Sequence, residues 1–353
     1  MKIKLAILEK DRIYLERIVA AFNMRYAEKL EIYSFTNIEV AIDAIEQNKI
    51  DVLLADENFE LDRNNIPKRC AIAYLVASAG IEMLRDEVAV CKFQKADLIY
   101  RQIVSLYSEN AGNISGLKFG DDSAKIIVFA SPSGGTGTST MAAACAKHFA
   151  ENGKKTLYLN LEHYGSSDVY FSAEGQFDMS DIIFALKSKK TNLPLKLESC
   201  VKQSSCGVNF YSQSKLALDM LELTTEDMNR LISEIKLSGA YDIIIVDMDF
   251  SLNKDVFTIY RQAHSLVWVG DGSAVSNVKI YRAYNALAMM EASAESPLTN
   301  RLNLIYNKFS SKTSKSIEGI EIKNIGGAPR YEHALVEQVL EQLKPMDMFN
   351  KII

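Results

Sequence analysis

SPSGGTGTST, Ser131 to Thr140, is the stretch on which the reading of this chain turns. It follows an apolar run, Ala124 to Ala130, and precedes an alanine-rich run, Met141 to Ala150. Strand, glycine loop and helix in that order make the setting of a phosphate-binding loop, whose backbone N–H groups and helix N-terminus face an anion. Gly134, Gly135 and Gly137 supply the backbone freedom, with Ser133, Thr136 and Thr140 completing the loop, and Ser139 carries the hydroxyl suited to Mg2+. The general pattern ends Gly-Lys-Ser/Thr, but here Thr138 stands at the lysine position. On these residues alone a glycine-rich turn opening a helix also accounts for the stretch.

Segments further along favour the nucleotide reading. Tyr241 to Asp249, YDIIIVDMD, is a hydrophobic strand ending in Asp247, placed as an acidic residue that reaches the Mg2+ shell. Asn160 and Glu162 end the strand after the loop's helix, where polar groups near a γ-phosphate belong. In a doubly wound sheet such strand ends line one crevice at the carboxyl edge.

The rhythm around them is α/β throughout. Lys4–Leu8, Leu30–Phe35, Ile50–Asp56, Cys70–Ser78 and Glu87–Phe93 read as strands, with helices from Asp11, Asn37 and Lys95 between or after them. The segments between the third and fifth strands are too short for full helices, so one side of this domain is expected to be trimmed. A polar stretch with three glycines, Asn110 to Ser123, reads as a linker. A second alternation then begins, with further strands at 155–161, 207–212, 241–249, 264–270 and 301–308 and helices near 224–238, 276–294 and 331–343. Thr224 to Asp227 reads as a capping box. The expectation is two doubly wound parallel-sheet domains: a flavodoxin-like domain over 1–110, a linker over 111–123 and a P-loop NTPase domain over 124–353.

Composition narrows the function. Hydrophobic content of 48% and charged content of 24% are those of a soluble globular chain. No apolar run reaches the ~18 residues of a membrane span, and the start of the sequence has no secretory pattern. Five scattered cysteines sit mostly in apolar runs, the pattern of a reducing, cytoplasmic setting. A net charge of −5 disfavours broad nucleic-acid binding.

Taken together, these residues resemble the MinD/ParA ATPases, whose deviant Walker A box commonly reads KGGxGK[S/T]T. Ser133 then falls at the signature lysine and Thr138 at the second lysine. Asn160-Leu161-Glu162 resembles the switch I acidic pair, and Asp247 matches the switch II aspartate. Asn307 matches the asparagine that reads adenine, and Pro329 the loop that closes over the base. The resemblance implies ATP and Mg2+ as ligands, a homodimer, and Glu162 as the residue that orients a water.

The first half resembles a response-regulator receiver. Glu9, Asp11 and Asp56 match the acidic pair and the phosphoacceptor. The hydroxyl expected after strand four falls on Ala77, with Ser78 one place late, and Lys92 and Lys95 both compete for the lysine position. Asp56 is therefore read as a structural remnant rather than a phosphorylation site. A receiver-like domain ahead of a MinD/ParA-like ATPase is the arrangement of the TadZ/CpaE proteins of Tad (Flp) pilus assembly. That resemblance implies a cytoplasmic factor at a cell pole or membrane-proximal assembly site. Its partners there are the secretion ATPase and membrane assembly proteins.

The lost lysines have a chemical consequence. A charged hydrogen bond is worth about 1.5–3 kcal/mol, so one missing lysine weakens ATP roughly ten- to a hundredfold. Binding survives on the backbone cradle and Mg2+. Hydrolysis suffers more, because cations stabilise the transferring group, and slow or negligible turnover is expected.

Three rival readings are weaker. A DNA-partitioning ParA needs a basic face, and Ala185 to Lys196 is the one conspicuous basic cluster, which reads as a solvated loop; no DNA binding is expected. A metal-cluster ATPase needs bridging cysteines, and Cys200 and Cys206 lack a compact ligand spacing. A membrane-attached protein needs a longer amphipathic tail than Met346–Ile353, so no stable anchor is expected there.

Overall fold

The computed structural model describes residues 2–110, 124–188, 192–292 and 295–353. The linker expected at 111–123, and residues 189–191 of the basic cluster, lie outside the described residues. The chain forms two compact units, Met1–Gly116 with Phe184–Cys200, and Leu117–Ile183 with Val201–Ile353.

The first unit begins with β1 (Ile3–Leu8), α1 (Arg12–Tyr26), β2 (Leu30–Phe35), α2 (Ile38–Gln47) and β3 (Val52–Asp56). It continues with β4 (Ala71–Val76), β5 (Met83–Leu84), β6 (Glu87–Cys91) and α3 (Ala96–Asn110). The strand order is β2-β1-β3-β4-β6-β5, parallel except for the short β5–β6 hairpin. This is the flavodoxin-like order with one added edge strand. Between β3 and β4 there is only a single 3-10 turn, Arg63–Asn65, so this side is trimmed as expected. Ile3, Leu5 and Ile7 face α1 and α3, while Ala6 and Leu8 face the α2 side with Phe59 and Ile66. Asp11 and Asn37 cap α1 and α2, Asp11 accepting the N–H groups of Ile13 and Tyr14 and Asn37 that of Val40.

The second unit opens with β7 (Lys125–Ala130), α4 (Thr138–Glu151), β8 (Thr156–Asn160) and α5 (Ser167–Tyr170). After α6 (Met179–Lys187), α7 (Leu193–Cys200) joins the first unit. The sequence resumes the second unit with β9 (Lys202–Gln203), β10 (Asn209–Phe210), α8 (Ala217–Leu221) and α9 (Thr225–Leu237). Then come β11 (Ile243–Asp247), α10 (Val256–Gln262), β12 (Ser265–Gly270) and α11 (Ala274–Met290). The last elements are β13 (Leu302–Phe309), β14 (Lys323–Pro329), α12 (Val336–Leu343) and a 3-10 turn, Asp347–Ile352. The sheet order is β14-β13-β12-β7-β11-β8-β10-β9, parallel apart from the β9 edge. The expected capping box is present, with Thr224 and Asp227 each satisfying the other's backbone.

Both faces of this sheet are covered, as a parallel sheet requires. Ile127, Phe129, Ile243, Ile245, Val267 and Val269 pack with α4 and α12 on one side. The alternate residues Ile126, Val128, Ile244, Val246 and Leu266 are equally buried on the other. The C-terminal turn belongs to this core: Met348, Phe349 and Ile352 are buried against it. His148 of α4 meets Lys344 O through Nδ1 at 2.8 Å, beside the Phe349 ring. Met348, Phe349 and Ile352 of the C-terminal segment therefore fill the interior.

The basic cluster also has a structural role in part. In the first unit, α7 packs on α3, with Lys196 Nζ donating to Ser105 Oγ at 2.8 Å and Tyr100 Oη to Glu198 Oε1 at 2.9 Å. Lys196 is 4% exposed, so it is no part of a solvated basic face.

Candidate nucleotide site

The crevice of a doubly wound sheet lies where neighbouring strands run off in opposite directions from the first strand. Here that strand is β7, flanked by β11 and β12. The glycine loop leaves β7 at its carboxyl end. Gly135 and Gly137 have φ of 78° and 84°, left-handed values that glycine adopts without penalty. Gly137 caps α4, and no side chain accepts the first-turn N–H groups there. These donors, at the positive end of a 14-residue helix, suit an anion. A Cβ on Gly134 or Gly135 would meet nothing within 4 Å, so the loop's surface is open.

Hydroxyls hold the loop from within. Ser131 Oγ lies 2.6 Å from Val269 O and accepts from Ser133 N at 3.1 Å. Thr136 Oγ1 donates to Ser133 O at 3.2 Å and lies 3.3 Å from Thr138 Oγ1. Ser133 is buried and points no charge outward.

On the neighbouring strand ends, register brings the acidic cluster together. Asn160 of β8 stands opposite Asp247 of β11, and Asp247 opposite Phe129 of β7. Tyr158 Oη donates to Asp247 Oδ2 at 2.7 Å, and Asn160 Nδ2 donates to the same oxygen at 3.1 Å. Asn160 Nδ2 also reaches Glu162 Oε2 at 3.0 Å, and Ser139 Oγ donates to that oxygen at 3.1 Å. Thus Ser139, Asn160, Glu162 and Asp247 meet in one place. Asp247 is fully buried, and its Oδ1 has no hydrogen-bond partner. Burial, and then the charge of Glu162, push its carboxyl up to about 8.

An unpaired buried carboxylate oxygen beside a loop hydroxyl is what a divalent cation would satisfy. Among the described residues no three His, Cys, Asp or Glu side chains form a metal cage. Mg2+ in such sites takes one or two protein oxygens with water and phosphate, and Ser139 and Asp247 are the residues that would supply them. The five cysteines are all free thiols.

Asn307, near the end of β13, meets the loop from the other flank. Asn307 Nδ2 donates to Thr136 O at 2.8 Å, and a Cβ on Gly137 would come within 2.4 Å of that nitrogen. Only glycine admits the asparagine here. Pro329 ends β14 opposite Phe309. Sequence reasoning missed four participants. Tyr158 was legible in principle, since it shares a strand face with Asn160 two residues on. His163 and Asp249 pair across the two strand ends, Nδ1 to Oδ2 at 2.5 Å. Lys308, beside Asn307, donates from Nζ to Gly135 O at 2.8 Å.

The acidic site of the first unit is arranged differently. Lys92, following β6, settles the competition with Lys95: its Nζ lies 2.7 Å from Glu9 Oε2 and also pairs with Asp56 Oδ2. Burial alone would raise the Asp56 carboxyl, yet the Lys92 ammonium and the Asn58 donors hold it below its usual value. Asp11 faces elsewhere, its Oδ1 accepting from Ile13 N and Tyr14 N as the α1 cap. An ammonium thus sits between two of the three carboxylates.

Comparison with known proteins agrees with both halves. Residues 1–108 match the family described as TadZ-like, receiver domain. The second domain has the fold of the ParA and MinD ATPases. A ParA family ATPase from Chlorobium tepidum TLS aligns at 22% identity and TM-score 0.51, over 66% of this chain and 96% of that one. A chain of the MinC:MinD cell division protein complex of Aquifex aeolicus aligns at 18% identity and TM-score 0.50, over 65% and 96%. No curated protein matches the sequence. The chain thus joins a region that matches the TadZ-like receiver family, residues 1–108, to a domain of MinD/ParA fold.

Proposed function

We propose that this chain is an ATP-binding localisation and scaffold factor of Tad (Flp) pilus assembly. In this reading the second domain binds Mg-ATP through its lysine-free loop and hydrolyses it slowly or negligibly. The observation that supports it most is the meeting of Ser139, Asn160, Glu162 and the half-satisfied Asp247 beside an uncapped helix N-terminus. Backbone N–H groups of the loop hold the phosphates, Ser139 and Asp247 hold Mg2+, and Asn307 and Pro329 frame the base. Bound Mg2+ screens phosphate charge. Glu162, anchored by Asn160 and Ser139, orients a water near the terminal phosphate, but no lysine of the loop stabilises the transferring group.

The pilus assignment is supported by the TadZ-like receiver domain at residues 1–108. Its partners are a second copy of the chain, the secretion ATPase and membrane assembly proteins, and its place is cytoplasmic, at a pole or membrane-proximal assembly site. No helix among the described residues is long and apolar enough to cross a membrane. DNA is not a partner in this reading, and a gel shift at low salt should show no complex.

Calorimetry of Mg-ATP with purified protein, followed by analysis of the cell contents for ADP, tests the proposal. Micromolar binding with ATP left intact supports a nucleotide-locked scaffold. No binding at millimolar ATP, or turnover on the order of ten per second, would overturn it.

A further inference from the structure

In a regular strand, neighbouring side chains point to opposite faces. Asn307 and Lys308 break that rule, since both reach the glycine loop from the end of β13. Asn307 donates to Thr136 O and Lys308 to Gly135 O, each at 2.8 Å. The backbone explains how. The β13–β14 register shifts between Tyr306 and Phe309, and Lys308 has φ 56°, a left-handed value that a lysine adopts only at a cost. Strain of this kind persists where surrounding structure enforces it, commonly at ligand sites.

The lysine stem runs along the loop. A Cβ on Gly137 would lie 3.6 Å from Lys308 Cε, so the chain passes from Gly137 toward Gly135. An ammonium has three donors. A single backbone carbonyl takes one, and no carboxylate of the described residues pairs with it. The group is therefore a partly exposed, unneutralised cation held at the lip of an open anion cradle. The same cradle has Ser133 and Thr138 where a charge would be expected.

We propose that Lys308 supplies the phosphate-binding cation that the loop itself lacks, turning its two remaining donors to the polyphosphate of a bound nucleotide. The inference rests on the nucleotide reading of the site and adds the residue that carries its charge. It places the cation on a strand end outside the loop, in the same chain.

The experiment compares Mg-ATP and adenosine binding, the latter by competition, for the full-length wild type, Lys308→Met and Lys308→Arg. Melting curves confirm that each is folded. If the wild type does not bind Mg-ATP, the nucleotide reading itself fails. If the wild type binds, Lys308→Met should weaken Mg-ATP about ten- to a hundredfold, the worth of one charged hydrogen bond, and leave adenosine unchanged. Lys308→Arg should lie within a few-fold of wild type. Undiminished Mg-ATP binding by Lys308→Met would overturn the proposal while leaving the nucleotide site standing. Equal losses for Mg-ATP and adenosine would also overturn it, making Lys308 a strut for the loop. Should Lys308→Met fail to fold, Lys308→Gln, which keeps a donor but no charge, replaces it with the same outcomes.

Discussion

Tyr158 Oη and Asp247 Oδ2 meet at 2.7 Å, joining β8 to β11 directly beneath the glycine loop. The tyrosine satisfies one carboxylate oxygen and leaves the other, Oδ1, without a partner. Burial also raises the phenol well above its usual value, so it acts here as a donor at any working pH. One oxygen is thereby held and the other is left for a cation.

Mg2+ binding should release a proton. The Asp247 carboxyl is raised to about 8 in the ligand-free protein, so near pH 7 it is largely protonated, and a cation must displace that proton. Mg-ATP affinity should rise with pH up to about 8 and then level off. Calorimetry in buffers of different ionisation heat should detect the proton, and Asp247→Asn should remove both it and most of the pH dependence. Because the folded value lies above the unfolded one, this group favours the ligand-free fold at low pH. That contribution is lost as pH rises from about 4 through 8.

Tyr158→Phe removes a donor from Asp247 and leaves a second acceptor less satisfied. A loss of about 1–3 kcal/mol in thermal or denaturant stability is expected, smaller with saturating Mg-ATP, and differential scanning fluorimetry with and without nucleotide measures it.

Lys92→Met leaves Glu9 and Asp56 buried without their ammonium. Breaking a buried pair of this kind costs about 3–5 kcal/mol, so the first unit should melt earlier. The pH response should reverse. In the wild type the depressed Asp56 value stabilises the fold above the ordinary carboxylate range, and this is lost only as pH falls below about 4. In the variant the buried Asp56, without its cation, gains from protonation, so acidification from pH 7 to 5 should raise the melting temperature. Resistance of the wild-type protein to small phosphodonors, read by intact mass, checks the same arrangement from the chemical side.

Phe349→Ala should cost about 3–5 kcal/mol, the usual price of truncating a fully buried phenylalanine. Urea unfolding of the full chain measures it. A change below about 1 kcal/mol would mean that the C-terminal turn is not part of the core.

Much of this was legible because it is local. Runs such as Ile243–Asp247 are buried on both faces, and their unbroken hydrophobicity announces a parallel strand. Helix starts near Asp11 and Asn37 and the capping box at Thr224 are read from the first turn alone. The edge strands were not legible: β9 and β14 carry no strong pattern, since each has one neighbour and an exposed side. The basic cluster at 185–196 misled for a related reason. Its lysines read as solvated, but Lys196 finds a hydroxyl at Ser105, nearly a hundred residues away in sequence, and buries its stem.

The sequence by itself determined that there are two α/β domains, where the glycine loop falls, and that neither expected lysine is in it, because periodicity and turn chemistry act over a few residues. Tertiary structure alone decided which distant groups share a site. Register set Asn160 against Asp247, and a register shift after Tyr306, with Lys308 at a left-handed φ, turned Lys308 onto Gly135. It also chose Lys92 over Lys95 as the cation of the acidic site. Charges separated by many residues acquire their partners only when the sheet orders its strands.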